Sequence, residues 1–159
     1  MATSPTSICN LALQKLGSDR ITSIDDLTSK GAKECNACYE PMRDRELRAN
    51  RWKFSLSRVI LAPHATAPVF QYNSAFVLPA DCLRPLFPAR TGLDWKVENH
   101  QGQAAILTND GSSINLRYIA KITDTTLFYP LFVDALACKI AWHLCELMTQ
   151  SNSKKDALQ

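Results

Sequence analysis

Apolar residues recur at helical spacing from the start of the chain. Ile8, Leu11, Ala12 and Leu16 fall on one side of a helix that Ser4 can cap, Pro5 suits in its first turn and Gly17 can end. Ser18–Asp26 reads as a loop with Ile21 and Ile24 as anchors. A longer second helix is predicted from Ser29 to about Asn50. Pro41 lies inside it, removes one backbone bond, and is expected to kink or divide it. Trp52 and Phe54 follow at once, large side chains suited to seating the helix end on a core.

The period then changes. Ser57–Ala62, Val69–Leu78, Leu83–Pro88, Leu93–Glu98, Ala104–Thr108 and Ile114–Ile122 read as short strands, rich in Val, Ile, Phe and Tyr and divided by Pro and Gly. Asn99-His100-Gln101-Gly102 is a plausible hairpin turn, and Asp110-Gly111 a stronger one, since both of its positions tolerate positive φ. A one-turn helix near Asp124–Leu127, a long helix Pro130–Thr149 and a polar tail Ser151–Gln159 close the chain. The order is two helices, an antiparallel β meander, then one dominant helix, with no strand–helix–strand alternation. The expected class is α+β.

The run Leu127–Met148 is the most unusual part of the pattern. Pro130 stands in its first turn, Asp134 near the positive end of the helix dipole, and only Lys139, His143 and Glu146 form a polar strip. A surface helix ordinarily buries about one stripe. This one is expected to bury nearly its whole circumference, either centrally or against a neighbour. Phe132, Leu136, Ile140, Trp142, Leu144 and Met148 are therefore candidate assembly residues. About 20 apolar residues can span a bilayer, but Asp134, Lys139, His143 and Glu146 are costly at that depth, so no membrane span is expected. Met1–Gly17 lacks the basic start and apolar core of a secretory signal, which places synthesis in the cytoplasm.

With 159 residues, 46% of them hydrophobic and 21% charged, the chain fits one domain with subregions. The expected division is a helical body over 1–54 and 124–150, a β subregion over 55–123 and a polar tail over 151–159. A net charge of +3 is too small to declare a nucleic-acid binder, but it is unevenly placed. Between Glu40 and Arg58, Arg43, Arg45, Arg48, Arg51, Lys53 and Arg58 stand against Glu40, Asp44 and Glu46; this window carries the whole excess. On a helical wheel Arg43, Arg48 and Arg51 lie away from the apolar side, with Arg45 at its edge. One reading is a solvated face with Asp44–Arg48 and Glu40–Arg43 ion pairs, each worth a few tenths of a kcal/mol, roughly. The other is a patch facing phosphates or an acidic surface on another subunit.

Six cysteines without a secretory signal are expected to be reduced. Cys35-x-x-Cys38 has metal spacing but no second pair to complete four ligands, and it shares an apolar helical face with Ala32, Tyr39, Met42 and Ala49. Core packing explains both cysteines. No P-loop or dinucleotide glycine pattern is present. His64 between prolines, His100 in a turn and His143 on the polar strip have no convincing ligand partners, and Asp25-Asp26 next to a helix start reads as capping. Neither an enzyme nor a cofactor is expected.

Several phrases, in order, carry a resemblance. They are ICNLALQKLG (Ile8 to Gly17), RITSIDD (Arg20 to Asp26), CNACYEPMRDRELR (Cys35 to Arg48), Trp52-Lys53-Phe54, Ser57-Arg58, Leu61-Ala62, FQYNSAFVLPADCLR (Phe70 to Arg84), ILTN (Ile106 to Asn109), LRYI (Leu116 to Ile119) and the closing helix. Together they resemble the tail tubular protein A family of short-tailed bacteriophages, the head-to-tail adaptors. The resemblance implies a structural virion protein of the tail or neck, forming a dodecameric ring below the portal. Such a ring extends the DNA channel and receives the tail nozzle or tubular tail protein. It further implies a portal protein as partner, non-specific contact with packaged double-stranded DNA, and no membrane. Family members commonly carry a longer C-terminal portion that reaches the portal. Here only Ser151–Gln159 follows the long helix, leaving Lys154, Lys155 and Leu158 as the candidate portal-facing tail. The alternative is a free-standing nucleic-acid-binding module using the Arg43–Lys53 face.

Overall fold

The computed structural model describes residues 3–88 and 92–149. Lys154, Lys155 and Leu158 lie outside the described residues. The fold is α+β, with two N-terminal helices, one C-terminal helix and two antiparallel three-stranded sheets. It divides into two compact units: Met1–Phe54 with Ile122–Gln159, and the Ser55–Lys121 segment inserted between them.

The first unit is helical. Helix α1, Pro5–Leu16, begins with a reciprocal cap: Ser7 N donates to Ser4 Oγ at 3.1 Å and Ser4 N to Ser7 Oγ at 2.9 Å. Gly17, at φ 70°, ends it in the left-handed conformation a β-carbon would oppose. The following loop is held by a side chain that imitates backbone pairing. Asn10 Nδ2 donates to Ile21 O at 3.0 Å and Asn10 Oδ1 accepts from Ile21 N at 2.9 Å. Ile21 and Ile24 are buried. Helix α2, Lys30–Ala49, is capped by Ser29 Oγ, which accepts from Ala32 N at 3.1 Å. It runs through Pro41 undivided.

Helix α3, Pro130–Thr149, packs on both α1 and α2. Its inward stripe is Phe132, Leu136, Ala137, Ile140, Ala141, Leu144 and Cys145, all buried. The stripe packs toward α1, where Ile8, Ala12, Leu13 and Leu16 are buried, and toward α2, where Leu47 is. Lys139, His143 and Glu146 are exposed, as the polar strip requires. Burial stops short of the whole circumference, because two helices and a loop can cover only part of a third. Leu131 is left 70% exposed and Leu147 46%.

The second unit holds the strands, which follow roughly as a meander divided between two sheets. They are β1 Leu56–Leu61, β2 Ser74–Val77, β3 Cys82–Pro88, β4 Trp95–His100, β5 Gln103–Thr108 and β6 Ile114–Ala120, ordered β1-β6-β3 and β2-β5-β4. Pro85 and Pro88 confine β3 to an edge, since proline cannot donate to a ladder, and its register shifts twice. Gln101 and Gly102, at φ 52° and 85°, make the two-residue turn joining β4 to β5, as predicted.

Two expectations fail in this unit. The strand predicted over Val69–Leu78 shrinks to Ser74–Val77: Gln71 has φ 72°, and Tyr72 N donates to Phe70 O at 2.9 Å, so the chain turns before it extends. Val69 and Phe70 are left 97% and 79% exposed. Asp110-Gly111 is not a hairpin. It carries the chain from one sheet to the other, and Gly111 does not take positive φ. The Asp110 carboxylate instead accepts from Ser112 N at 3.4 Å and Ser112 Oγ at 3.2 Å.

Phe132 is fully buried and meets Trp52, Phe54 and Phe128 edge-on at centroid distances of 5.3, 5.1 and 4.7 Å. Phe132→Ala is expected to destabilise the protein by about 3–5 kcal/mol in urea unfolding; a loss under about 1 kcal/mol would mean that the site collapses freely.

Candidate functional site

The six basic residues do not form one surface. Arg43 is only 3% exposed. Its guanidinium donates through Nε to Asp44 Oδ1 at 2.9 Å, holds the same oxygen through Nη2 at 2.8 Å, lies 3.9 Å from Glu40 Oε1, and sits over the Tyr39 ring at 5.9 Å. The outward placement of Arg43 fails: four residues after Tyr39 and eight after Cys35 it continues the buried side of α2, where Tyr39 and Asp44 offer a face and an acceptor. Asp44 pairs with Arg43 rather than Arg48. Arg45, Arg48, Arg51 and Lys53 are exposed, and among the described residues none of them is ion-paired.

Arg58 belongs to the second unit. On β1 it stands directly opposite Arg117 of β6, with Arg84 of β3 opposite Ile119, so the three arginines share one sheet face. Like charges opposed across a ladder are unfavourable. Arg58 is exposed, and Arg84 and Arg117 are half-buried. Sequence reasoning missed Arg84 and Arg117. Alternation along Ile114–Ala120 could have placed Arg117 opposite the buried Leu116 and Tyr118, but the pairing with Arg58 required the register.

The candidate assembly helix also needs correction. Phe132, Leu136, Ile140 and Leu144 are fully buried within their own unit and cannot meet a partner. Trp142 and Met148 are half-buried. The surface that α3 does present, among the described residues, is Pro130, Leu131, Asp134, Lys139, His143, Glu146 and Leu147.

Between α2 and α3 lies an open cleft of about 460 Å³, lined by Met42, Arg45, Glu46, Ala49, Asn50, Lys139 and Trp142. Glu46 is its acidic element. It is buried, accepts from Asn50 Nδ2 at 2.8 Å, and its backbone carbonyl accepts from Trp52 Nε1 at 3.3 Å. Burial pushes the Glu46 carboxyl above the usual carboxylate range, against the opposing pull of Lys139 and Asn50. Arg45 and Lys139 make the rest of the cleft electropositive.

The thiols and imidazoles have local explanations. Cys9, Cys35 and Cys38 are buried; the Cys9 thiol is pushed up by its hydrogen bond with Cys35 and by burial, and burial pushes Cys38 up to about 12. Cys9 and Cys38 are thereby held as neutral, weakly nucleophilic thiols, while the hydrogen bond with Cys9 draws the Cys35 thiol below its ordinary value against burial. Among the described residues no three His, Cys, Asp or Glu side chains converge as metal ligands. His64 and His100, separate in the sequence, stack edge-on at 5.0 Å. His100 Nε2 donates to Thr66 O at 2.9 Å, while Thr66 N donates to His64 Nδ1 at 3.1 Å. They pin the loop between β1 and β2. Among the described residues no helix is long and apolar enough to cross a membrane. No protein-family model matches the chain, and no curated protein matches it.

Because the folded carboxyl of Glu46 binds its proton more readily than the unfolded one, its ionisation weighs against folding as pH rises from the unfolded to the folded pKa. Glu46→Gln is expected to gain stability relative to wild type as pH rises above the ordinary carboxylate range, read as Tm against pH. A Tm difference independent of pH would contradict a buried, titrating carboxylate.

Proposed function

We propose that this chain is a non-catalytic structural protein, a head-to-tail adaptor whose copies form a ring joining a portal to a tail and surrounding double-stranded DNA in transit. The ordered resemblance of its phrases to the tail tubular protein A family motivates this reading. One structural observation carries it furthest. The helical unit leaves Leu127, Tyr129, Leu131 and Leu147 exposed, and it also carries four exposed cations, Arg45, Arg48, Arg51 and Lys53, that have no ion pair among the described residues. Exposed apolar side chains gathered on one unit favour association. A ring of identical subunits closes through head-to-tail contacts between two different patches. Cations repeated around such a ring supply a positive lumen without any base recognition. The portal and the tail nozzle or tubular tail protein are the proposed neighbours, and the virion neck is the proposed location.

The same four exposed cations favour a second reading, a nucleic-acid-binding module that acts as a monomer. Two measurements separate them. Under the adaptor reading, mass photometry of the purified protein shows rings or addition to portal rings, and the monomer binds DNA weakly. A stable monomer that never engages a portal would overturn it. Under the module reading, the monomer binds DNA tightly with steep salt dependence, and Arg45→Ala, Arg48→Ala and Arg51→Ala together abolish that binding.

A further inference from the structure

The helical unit carries two surfaces of opposite character. One is the cleft between α2 and α3. Met42 and the indole of Trp142 line it with apolar surface, and Arg45 and Lys139 give it positive charge. Glu46 and Lys139 already face each other electrostatically, whereas Arg45 has no ion pair among the described residues.

The other is the turn entering α3. Leu127, Tyr129 and Leu131 are exposed there, Leu131 most of all. Leu131 and Asp134 are three residues apart on the helix and therefore neighbours on its surface. Asp134 is exposed and forms no ion pair among the described residues. The ridge is rigid. Tyr129 rests edge-on against Phe54 at 5.1 Å, and Phe128 and Phe132, on either side of Tyr129 and Leu131, are buried in the aromatic cluster. Asp124 fixes the preceding turn by accepting from Thr126 N at 2.9 Å and Thr126 Oγ1 at 2.6 Å. Exposed apolar side chains on a pre-ordered base lose little entropy on binding, which is what an interface anchor requires.

We propose that the α2–α3 cleft is the docking site for the Leu127–Asp134 ridge of a second copy of this chain, with Asp134 entering beside Arg45 and Leu131 or Tyr129 covering the indole of Trp142 and the side chain of Met42. The proposal rests on the adaptor reading and specifies its contact. The cleft joins apolar surface from Met42 and Trp142 to a surplus cation, and the ridge joins apolar side chains to a carboxylate that has no ion pair among the described residues. Because the patches differ, each copy offers one to each neighbour, the arrangement that allows a ring to close. Matched charge fixes register and suppresses wrong partners more than it adds affinity.

Charge reversal tests this, since both residues are exposed and neither is ion-paired among the described residues. Arg45→Glu makes the cleft acidic against an acidic ridge; Asp134→Arg makes the ridge basic against a basic cleft. Each variant alone is expected to remain folded by circular dichroism and to self-associate at least tenfold more weakly than wild type in mass photometry. Mixed in equal amounts, the two are expected to co-assemble, because every cleft then finds a ridge of opposite sign on the other variant. Leu131→Gln is expected to weaken association with no charge change. Assembly of Arg45→Glu or Asp134→Arg at wild-type strength overturns the proposed contact while leaving the adaptor reading intact, and so does failure of the mixture to assemble. A wild-type protein that stays monomeric at all concentrations, with portal present or absent, removes both.

Discussion

The edge-on contact of Phe132 with Trp52, Phe54 and Phe128 is the constraint on which the helical unit depends. The chain leaves this unit after Phe54 and re-enters it at Ile122, so the two flanks of a long insertion must be brought together. Closing such a loop costs conformational entropy that grows slowly with its length. Aromatic rings recover much through area and geometry together. Phe54 and Phe128, one on each flank, touch at 5.6 Å. With the flanks joined, Phe132 sets the rotation of α3, and that rotation decides which of its residues face α1 and α2 and which remain outside.

Most of the element order could be read from the residues because it is governed by local rules. Ser4, Pro5 and Gly17 delimit α1, Ser29 and Asn50 bound α2, and α3 runs over the predicted Pro130–Thr149. The errors arose where the deciding contact is distant. Nothing local to Asp110-Gly111 reveals that β5 and β6 lie in different sheets, and nothing near Val69 announces the left-handed Gln71. Arg43 was set on the wrong side of the wheel, although its spacing from Cys35 and Tyr39 puts it on the buried side, where Asp44 and the Tyr39 ring receive it. On α3 the excess of apolar positions was visible. Which of them serve the protein's own core was not, because that depends on the packing of α1 and α2 against it. The strongest apolar positions, Phe132, Leu136, Ile140 and Leu144, proved to be the internal ones.

Charge in this protein is sorted by burial. Arg43 and Glu46, the two charged residues of α2 that fold inward, are each answered by neighbours: Asp44 and Glu40 for the first, Lys139 and Asn50 for the second. Buried ions left unanswered cost several kcal/mol, on the order of 3–5 when a partner is removed. The cations without answers, Arg45, Arg48, Arg51 and Lys53, are those that water can solvate. They are correspondingly available to a ligand or neighbour at little desolvation cost. In the strand unit Arg58 and Arg117 stand opposite each other across the ladder.

The prolines of β3 have a consequence for molecules held at high local density. An unpaired strand margin invites a neighbouring chain to continue the ladder, and repetition of that step leads to fibres. Pro85 and Pro88 withhold amide hydrogens along that margin, and the irregular register of β3 disturbs the spacing an incoming backbone would need. A backbone approaching this margin therefore finds no regular ladder to extend, whereas β1, β2 and β4 end their sheets without prolines.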